Sequence, residues 1–252
     1  VGMVAAISGL AFTLSFLTYV KISQAPGAYA YSGVPDFEET LLSPYLVFCG
    51  VLIMFFSPLL TMRLLAEERH RGTIELLLTH PLRDREIIFG KYFAALSMML
   101  VLMLIIGVNL AIVRYFVAVE SAVLIFGLLT VFLMSAAFLS LGMFVSSVTR
   151  NQITSGMITF GVFLIFYVVG ALGEYLSPHN PAPETWPDVL QAPVCFLYSV
   201  FRGLLLEMPL DAHAKDMAQG VFQPSDIAYY VLFSAFFLFL TFRSLESRQW
   251  RG

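Results

Sequence analysis

Charge is what this chain has least of. Only 12% of its 252 residues are Asp, Glu, Lys or Arg, while 59% are hydrophobic and 24 are phenylalanine. An ordinary soluble domain is roughly 25% charged. A globule of this size cannot cover its surface with so few charges, which excludes a water-soluble domain and a disordered chain. A nucleic-acid binder working through a basic surface is excluded too, since 14 basic residues face 17 acidic ones. Cysteine is nearly absent: Cys49 and Cys195 cannot build a disulfide framework. No Gly-x-x-x-x-Gly-Lys-Ser/Thr run occurs, so the chain does not itself cradle nucleotide phosphates. No His-Glu-x-x-His occurs either, and His70, His80, His179 and His213 are scattered without metal-ligand spacing. Serines in apolar sequence, such as Ser155, have no histidine or lysine near them to act as a base. The reading therefore assigns no catalytic residue and no metal site. What the chain has in quantity is long apolar runs, and it reads as a protein that crosses a membrane several times.

About 20 apolar residues cross the hydrocarbon core as a helix. Against that length the spans fall at residues 1–20, 42–62, 92–113, 121–148, 153–172 and 227–242. The first has no basic leader and no small-residue cleavage site before Lys21, so it reads as a retained span rather than a signal peptide. Pro58 lies near the far end of the second and would kink it. A seventh apolar stretch, Ala192–Leu206, holds Arg202. An arginine at the bilayer centre costs roughly 2.5–3.5 kcal/mol, so this stretch is expected to be an interfacial or re-entrant helix. Within the spans, Ala136 and Ser140 form a small-xxx-small pair, and Gly107 and Gly161 are further candidates for close helix contact. No ionisable residue lies at mid-depth, which argues against proton- or ion-coupled transport.

Basic residues set the orientation. With six spans, one side holds Arg63, Arg69, Arg71, Arg83, Arg85, Lys91, Arg150, Arg243, Arg248 and Arg251, and the other only Lys21, Arg114, Arg202 and Lys215. That bias places both termini in the cytoplasm. The expected fold is all-α: six transmembrane helices in a single domain over residues 1–252, with a helical outer segment between spans five and six. That outer segment, Gly173–Asp226, is acidic and carries the irregular Pro178–Pro183 stretch. It reads either as a cap on the span ends or as a gate on a pathway.

The cytoplasmic loop between spans two and three holds six of the 14 basic residues. Gly72 can break the helix leaving span two, and Thr73 is a good N-cap for a new one. Glu75 then stands in its first turn, where the helix dipole favours an acid. Ile74, Leu77 and Leu78 form one apolar stripe, and Pro81 stops the helix. Asp84 can cap the next helix, which runs through Lys91 into span three. The result is a short amphipathic helix across the mouth of spans two and three. It suits either the lipid headgroups or the grip of a soluble partner. Glu67 and Glu68 tip the balance toward the partner, since acids are unhelpful beside an anionic leaflet.

This loop resembles the signature of ABC-2 type transporter permeases: an acid pair, Gly-Thr, a Glu-Leu-Leu run and a proline, here Glu67, Glu68, Gly72, Thr73, Glu75, Leu76, Leu77 and Pro81. The approach LLTMRLLAEE (59–68), Tyr229-Tyr230 and the segment Phe239–Arg248 resemble the branch of gliding-motility-associated and copper-enzyme-maturation permeases. The resemblance runs from Leu42 to Arg251. It implies a permease that binds no cofactor, paired with a second copy or a paralogue, in the cytoplasmic (inner) membrane. A separate ABC ATP-binding subunit would carry ATP and magnesium. The loop helix would be its coupling helix, with contacts at Glu67, Glu68, Arg71, Gly72, Thr73, Glu75, Leu78 and Pro81. Arg150 in the other inner loop is a candidate secondary contact, or simply a topology anchor. Spans two and five would re-pack at the dimer axis. Members open with an amphipathic helix before span one, so such a segment is expected to precede Val1.

The leading expectation is the permease of an ATP-driven exporter of unassigned substrate. The competing one is a scaffold that moves no solute and passes the ATPase's conformational change to an extracytoplasmic accessory protein docked on Gly173–Asp226.

Overall fold

The computed structural model describes residues 2–24, 36–70, 84–116, 120–177, 188–210, 213–214 and 223–249. Among these the regular structure is entirely helical. Helix α1 spans Gly2–Gln24, and a turn of π-helix at Glu38–Leu42 leads into α2, Ser43–Thr61. Then come the short α3 (Ala66–His70), α4 (Asp84–Phe116), α5 (Ser121–Val148), α6 (Gln152–Tyr175), α7 (Asp188–Glu207) and α8 (Pro224–Gln249). Six of them are long and apolar enough to cross a membrane: α1, α2 with its flanking turns, α4, α5, α6 and α8. The protein is a multi-pass membrane protein.

Span four is the axis of the bundle. In α5, 56% of the most apolar window is buried inside the protein, and in the α2 segment 50%, against 11% in α1 and 17% in α6. Helices α2, α4, α6 and α8 all pack on α5. Its composition permits this, since Gly127, Ser135, Ala137, Ser140, Gly142 and Ser146 leave room for neighbouring helices. The serine and threonine hydroxyls are satisfied locally: Thr130, Ser135 and Ser140 each donate to a carbonyl three or four residues back.

Helices α2 and α5 run parallel. Leu46 meets Gly127 near one end, and Thr61 meets Gly142 fifteen residues along each helix. At Gly142 a side-chain Cβ would come within 2.8 Å of Thr61 Cβ, a β-branched group that cannot swing aside. The expected close contacts at Gly107 and Gly161 are not found: a Cβ at Gly107 would have only ordinary contact at 3.8 Å, and one at Gly161 would meet open space. The tight crossing lies at Gly142 because that face of α5 meets α2, while Gly161 looks away from the bundle. Ser140 of the small-residue pair is fully buried, and the carbonyl of Ala136 accepts the Tyr92 hydroxyl at 3.0 Å.

Helix α2 continues one turn past Pro58. Proline has no N–H for the Met54 carbonyl, and the Ser57 hydroxyl points at that carbonyl from 3.5 Å. Helix α8 overruns the expected 227–242 at both ends. Its last turns leave the apolar run and carry an Arg243–Glu246 pair at 2.9 Å. Helix α7 is not among the six candidate spans, and it explains Arg202. The Arg202 Nε donates to the Leu176 carbonyl at 3.2 Å, at the C-terminus of α6, while the Tyr198 hydroxyl reaches the Ser177 carbonyl. A cation there satisfies an orphan carbonyl and complements the helix dipole. Gly173 lets the backbone of α7 approach, since a Cβ would lie 3.3 Å from the Leu205 carbonyl carbon.

Candidate functional site

The site begins where α2 ends. After Thr61 the chain turns through Met62 and Leu64, held by Met62 N–H to Pro58 O and Leu64 N–H to Thr61 O, and enters α3. The first N–H groups of a helix have no partner within it. Here the missing acceptor comes from another span: the Ser146 Oγ, on α5, accepts from Leu65 N at 3.1 Å and from Ala66 N at 3.0 Å. All three residues are buried, Ser146 and Ala66 completely. Ser146 thus acts as an N-cap supplied in trans.

A second tie comes from span three. The Lys91 ammonium donates to the Leu64 carbonyl at 2.7 Å and pairs with Glu68 at 2.5 Å. The side chains are 23% and 29% exposed, enough shelter for the attraction to outlast salt screening. The stem of the 67–81 loop is therefore fastened to α4 through Lys91 and to α5 through Ser146. Helix α3 also touches α6, beside which Met62 packs against Gly156. The stem formed by α3 and the turn before it is thus in contact with three spans.

Of the residues expected to contact a partner, Glu67 and Glu68 lie on α3 and are partly buried. Arg150 is exposed in the turn between α5 and α6, where Asn151 caps α6 by accepting from Ile153 N at 2.9 Å. Arg71, Gly72, Thr73, Glu75, Leu78 and Pro81 lie outside the described residues. Two residues that hold the stem were not expected. Ser146 stands in a Ser-Ser pair inside an apolar span and has no spacing that marks it. Lys91 was legible only as an orientation charge, because its partner is 23 residues upstream.

A small apolar cavity of about 60 Å³, open on one side, lies between α2, α5 and α6. Gly50, Met54, Gly127, Met134 and Phe163 are among its walls, and Leu210 closes it toward the outer segment. That closure is tied down. The Tyr229 hydroxyl donates to Met208 O at 2.9 Å and the Tyr230 hydroxyl to Leu210 O. His213 stacks on Tyr229 at 4.0 Å and bridges Asp226, at 2.9 Å, to the Glu207 carbonyl, at 3.1 Å. Among the described residues no cluster of His, Cys, Asp or Glu could hold a metal ion.

A family model described as ABC-2 family transporter protein matches residues 3–190. The match takes in α1, which the sequence resemblance did not reach, and stops short of most of α7 and all of α8. No curated protein matches the chain significantly.

Proposed function

The chain belongs to the ABC-2 transporter family, whose members are membrane transport components rather than enzymes; on that premise we propose that it is the permease of an ATP-driven exporter, moved by a separate ATP-binding subunit. The single observation that carries this reading is the double anchorage of α3. Ser146 and Lys91 make the stem of the loop a lever on spans three and four. The coupling segment reads as Glu67, Glu68, Arg71, Gly72, Thr73, Glu75, Leu78 and Pro81, seated in a groove of the ATPase, with Arg150 as a secondary contact. The basic end of the bundle is then cytoplasmic, in the inner membrane. A second copy or a paralogue completes the pathway, against faces of α6 left largely uncovered here. The apolar cavity between α2, α5 and α6 is the stretch of pathway this chain contributes. Tyr229 and Tyr230 in α8 keep the gliding-motility and copper-maturation branch as the preferred placement within the family.

One observation favours the scaffold reading as an alternative. Helix α7 leaves Phe196, Leu197, Phe201 and Leu204 more than half exposed on the outer segment, a face that an extracytoplasmic partner could cover. Mild-detergent purification from native membranes, followed by mass spectrometry, tests the leading proposal. A stoichiometric subunit carrying a nucleotide-binding sequence, lost with Glu68→Ala and Gly72→Pro, is the expected result. A folded chain that brings no such subunit overturns it. Substrate-stimulated ATP hydrolysis then separates exporter from scaffold.

A further inference from the structure

At the basic end of the bundle an open cleft separates α4 from α8. Arg85, in the first turn of α4, and Arg243, on α8, stand at it, together with Glu246; its walls are Phe89, Phe239 and Phe242. Phe89 and Phe242 meet edge to face at 5.5 Å, and the Arg243 guanidinium lies over the Phe239 ring at 5.3 Å. Glu246 is held by Arg243 at 2.9 Å, while Arg85 has no acidic partner among the described residues. The cleft therefore keeps a net positive charge above an aromatic wall.

Depth identifies what meets that charge. The apolar run of α8 ends at Phe242, directly before Arg243, and Phe89 meets Phe242 at that level. Arg85 lies one turn before Phe89, which belongs to the short apolar turn of α4 that Lys91 separates from the long run opening at Tyr92. The guanidiniums thus stand at headgroup level, while the rings face the upper acyl chains. Phosphate is the anion every bilayer offers at that depth, and guanidinium binds it in a bidentate fork. A zwitterionic headgroup would bring its own cation against two arginines; an anionic one would not.

We propose that this cleft binds the headgroup phosphate of an anionic phospholipid, with Arg85 and Arg243 on the phosphate and Phe89, Phe239 and Phe242 against the first segment of acyl chain. The lipid joins the entry of span three, just after the 67–81 loop, to the exit of span six. The proposal does not depend on ATP coupling.

Native mass spectrometry of the full chain released from vesicles of three parts phosphatidylcholine to one part phosphatidylglycerol tests it. The wild type should retain phosphatidylglycerol preferentially. Arg85→Ala with Arg243→Ala should lose that retention roughly 25-fold, and phosphatidylcholine retention should not change. Arg85→Lys with Arg243→Lys should keep most of it. Arg114→Ala, at the opposite end, should behave as wild type. If the alanine pair fails to fold, Arg85→Gln alone decides the matter, with an expected loss of about fivefold. Wild-type retention in the alanine pair or in Arg85→Gln, or an equal loss in Arg114→Ala, overturns the proposal. So does displacement of the lipid by millimolar inorganic phosphate, which would mark a site for a free anion.

Discussion

Replacing Ser146 by alanine removes one oxygen, yet it leaves two buried donors without an acceptor. The N–H groups of Leu65 and Ala66 both end on that hydroxyl, at 3.1 and 3.0 Å, and the residues are 1% and 0% exposed. Loss of a helix cap costs about 1 kcal/mol, and stranding a second buried donor costs about 1 kcal/mol more. A local penalty near 2 kcal/mol corresponds to a roughly thirtyfold increase in opening. Hydrogen exchange by mass spectrometry on the detergent-solubilised protein reads this directly: the amides of residues 64–68 should exchange about thirtyfold faster. Ser140→Ala is the matched control. Ser140 is equally buried on the same helix, but its hydroxyl only donates to the Ala137 carbonyl at 2.8 Å, so its removal strands no N–H. Exchange at 64–68 that is unchanged in Ser146→Ala, or raised as much in Ser140→Ala, would refute the cap in trans.

Other consequences follow from the same geometry. A double-mutant cycle of Lys91→Met and Glu68→Gln, read by thermal midpoint, should give a coupling of about 0.5–1 kcal/mol, and Lys91→Met alone should cost more because it also strands the Leu64 carbonyl. Gly142→Ala should lower stability by about 1–3 kcal/mol through its collision with Thr61 and recover in part with Thr61→Gly; an unchanged midpoint would show that α2 and α5 are not in close register there. Arg202→Ala should speed amide exchange over residues 172–177 by severalfold, with partial rescue by lysine, since it uncaps α6. Exchange confined to α7 would assign Arg202 a purely local role.

The apolar runs located the spans well but the helix ends poorly, for a physical reason. An apolar run measures the membrane, whereas a helix stops where its hydrogen bonds do. Span four was legible to the residue because Glu120 and Thr149 interrupt apolarity and helix together, both taking extended backbone. Helix α8 was not, because its backbone continues through polar sequence to Gln249. Arg202 was read correctly as an obstacle to a seventh span, but its role as the cap of α6 depends on a carbonyl 26 residues earlier. Small residues were recognisable as contact formers, but which of them meet a neighbour depends on helix rotation, so Gly142 could not be told from Gly161. The acid pair Glu67-Glu68 was visible in sequence; Lys91, which pairs with Glu68, and Ser146, which caps the start of the same helix, became visible only once the helices were packed.

Force on the 67–81 loop should reach the apolar cavity. With Cys49 and Cys195 replaced by serine, a single cysteine at Thr130, in the cavity wall, reports access from the outer side to an impermeant thiol reagent. In vesicles holding the permease with its ATP-binding subunit, labelling should change when ATP and vanadate trap the ATPase. The change should disappear with Glu68→Ala and Gly72→Pro, whose permease no longer holds the subunit. Labelling that ignores nucleotide in the intact complex, or that responds equally in the loop variants, would show that the loop does not drive the cavity.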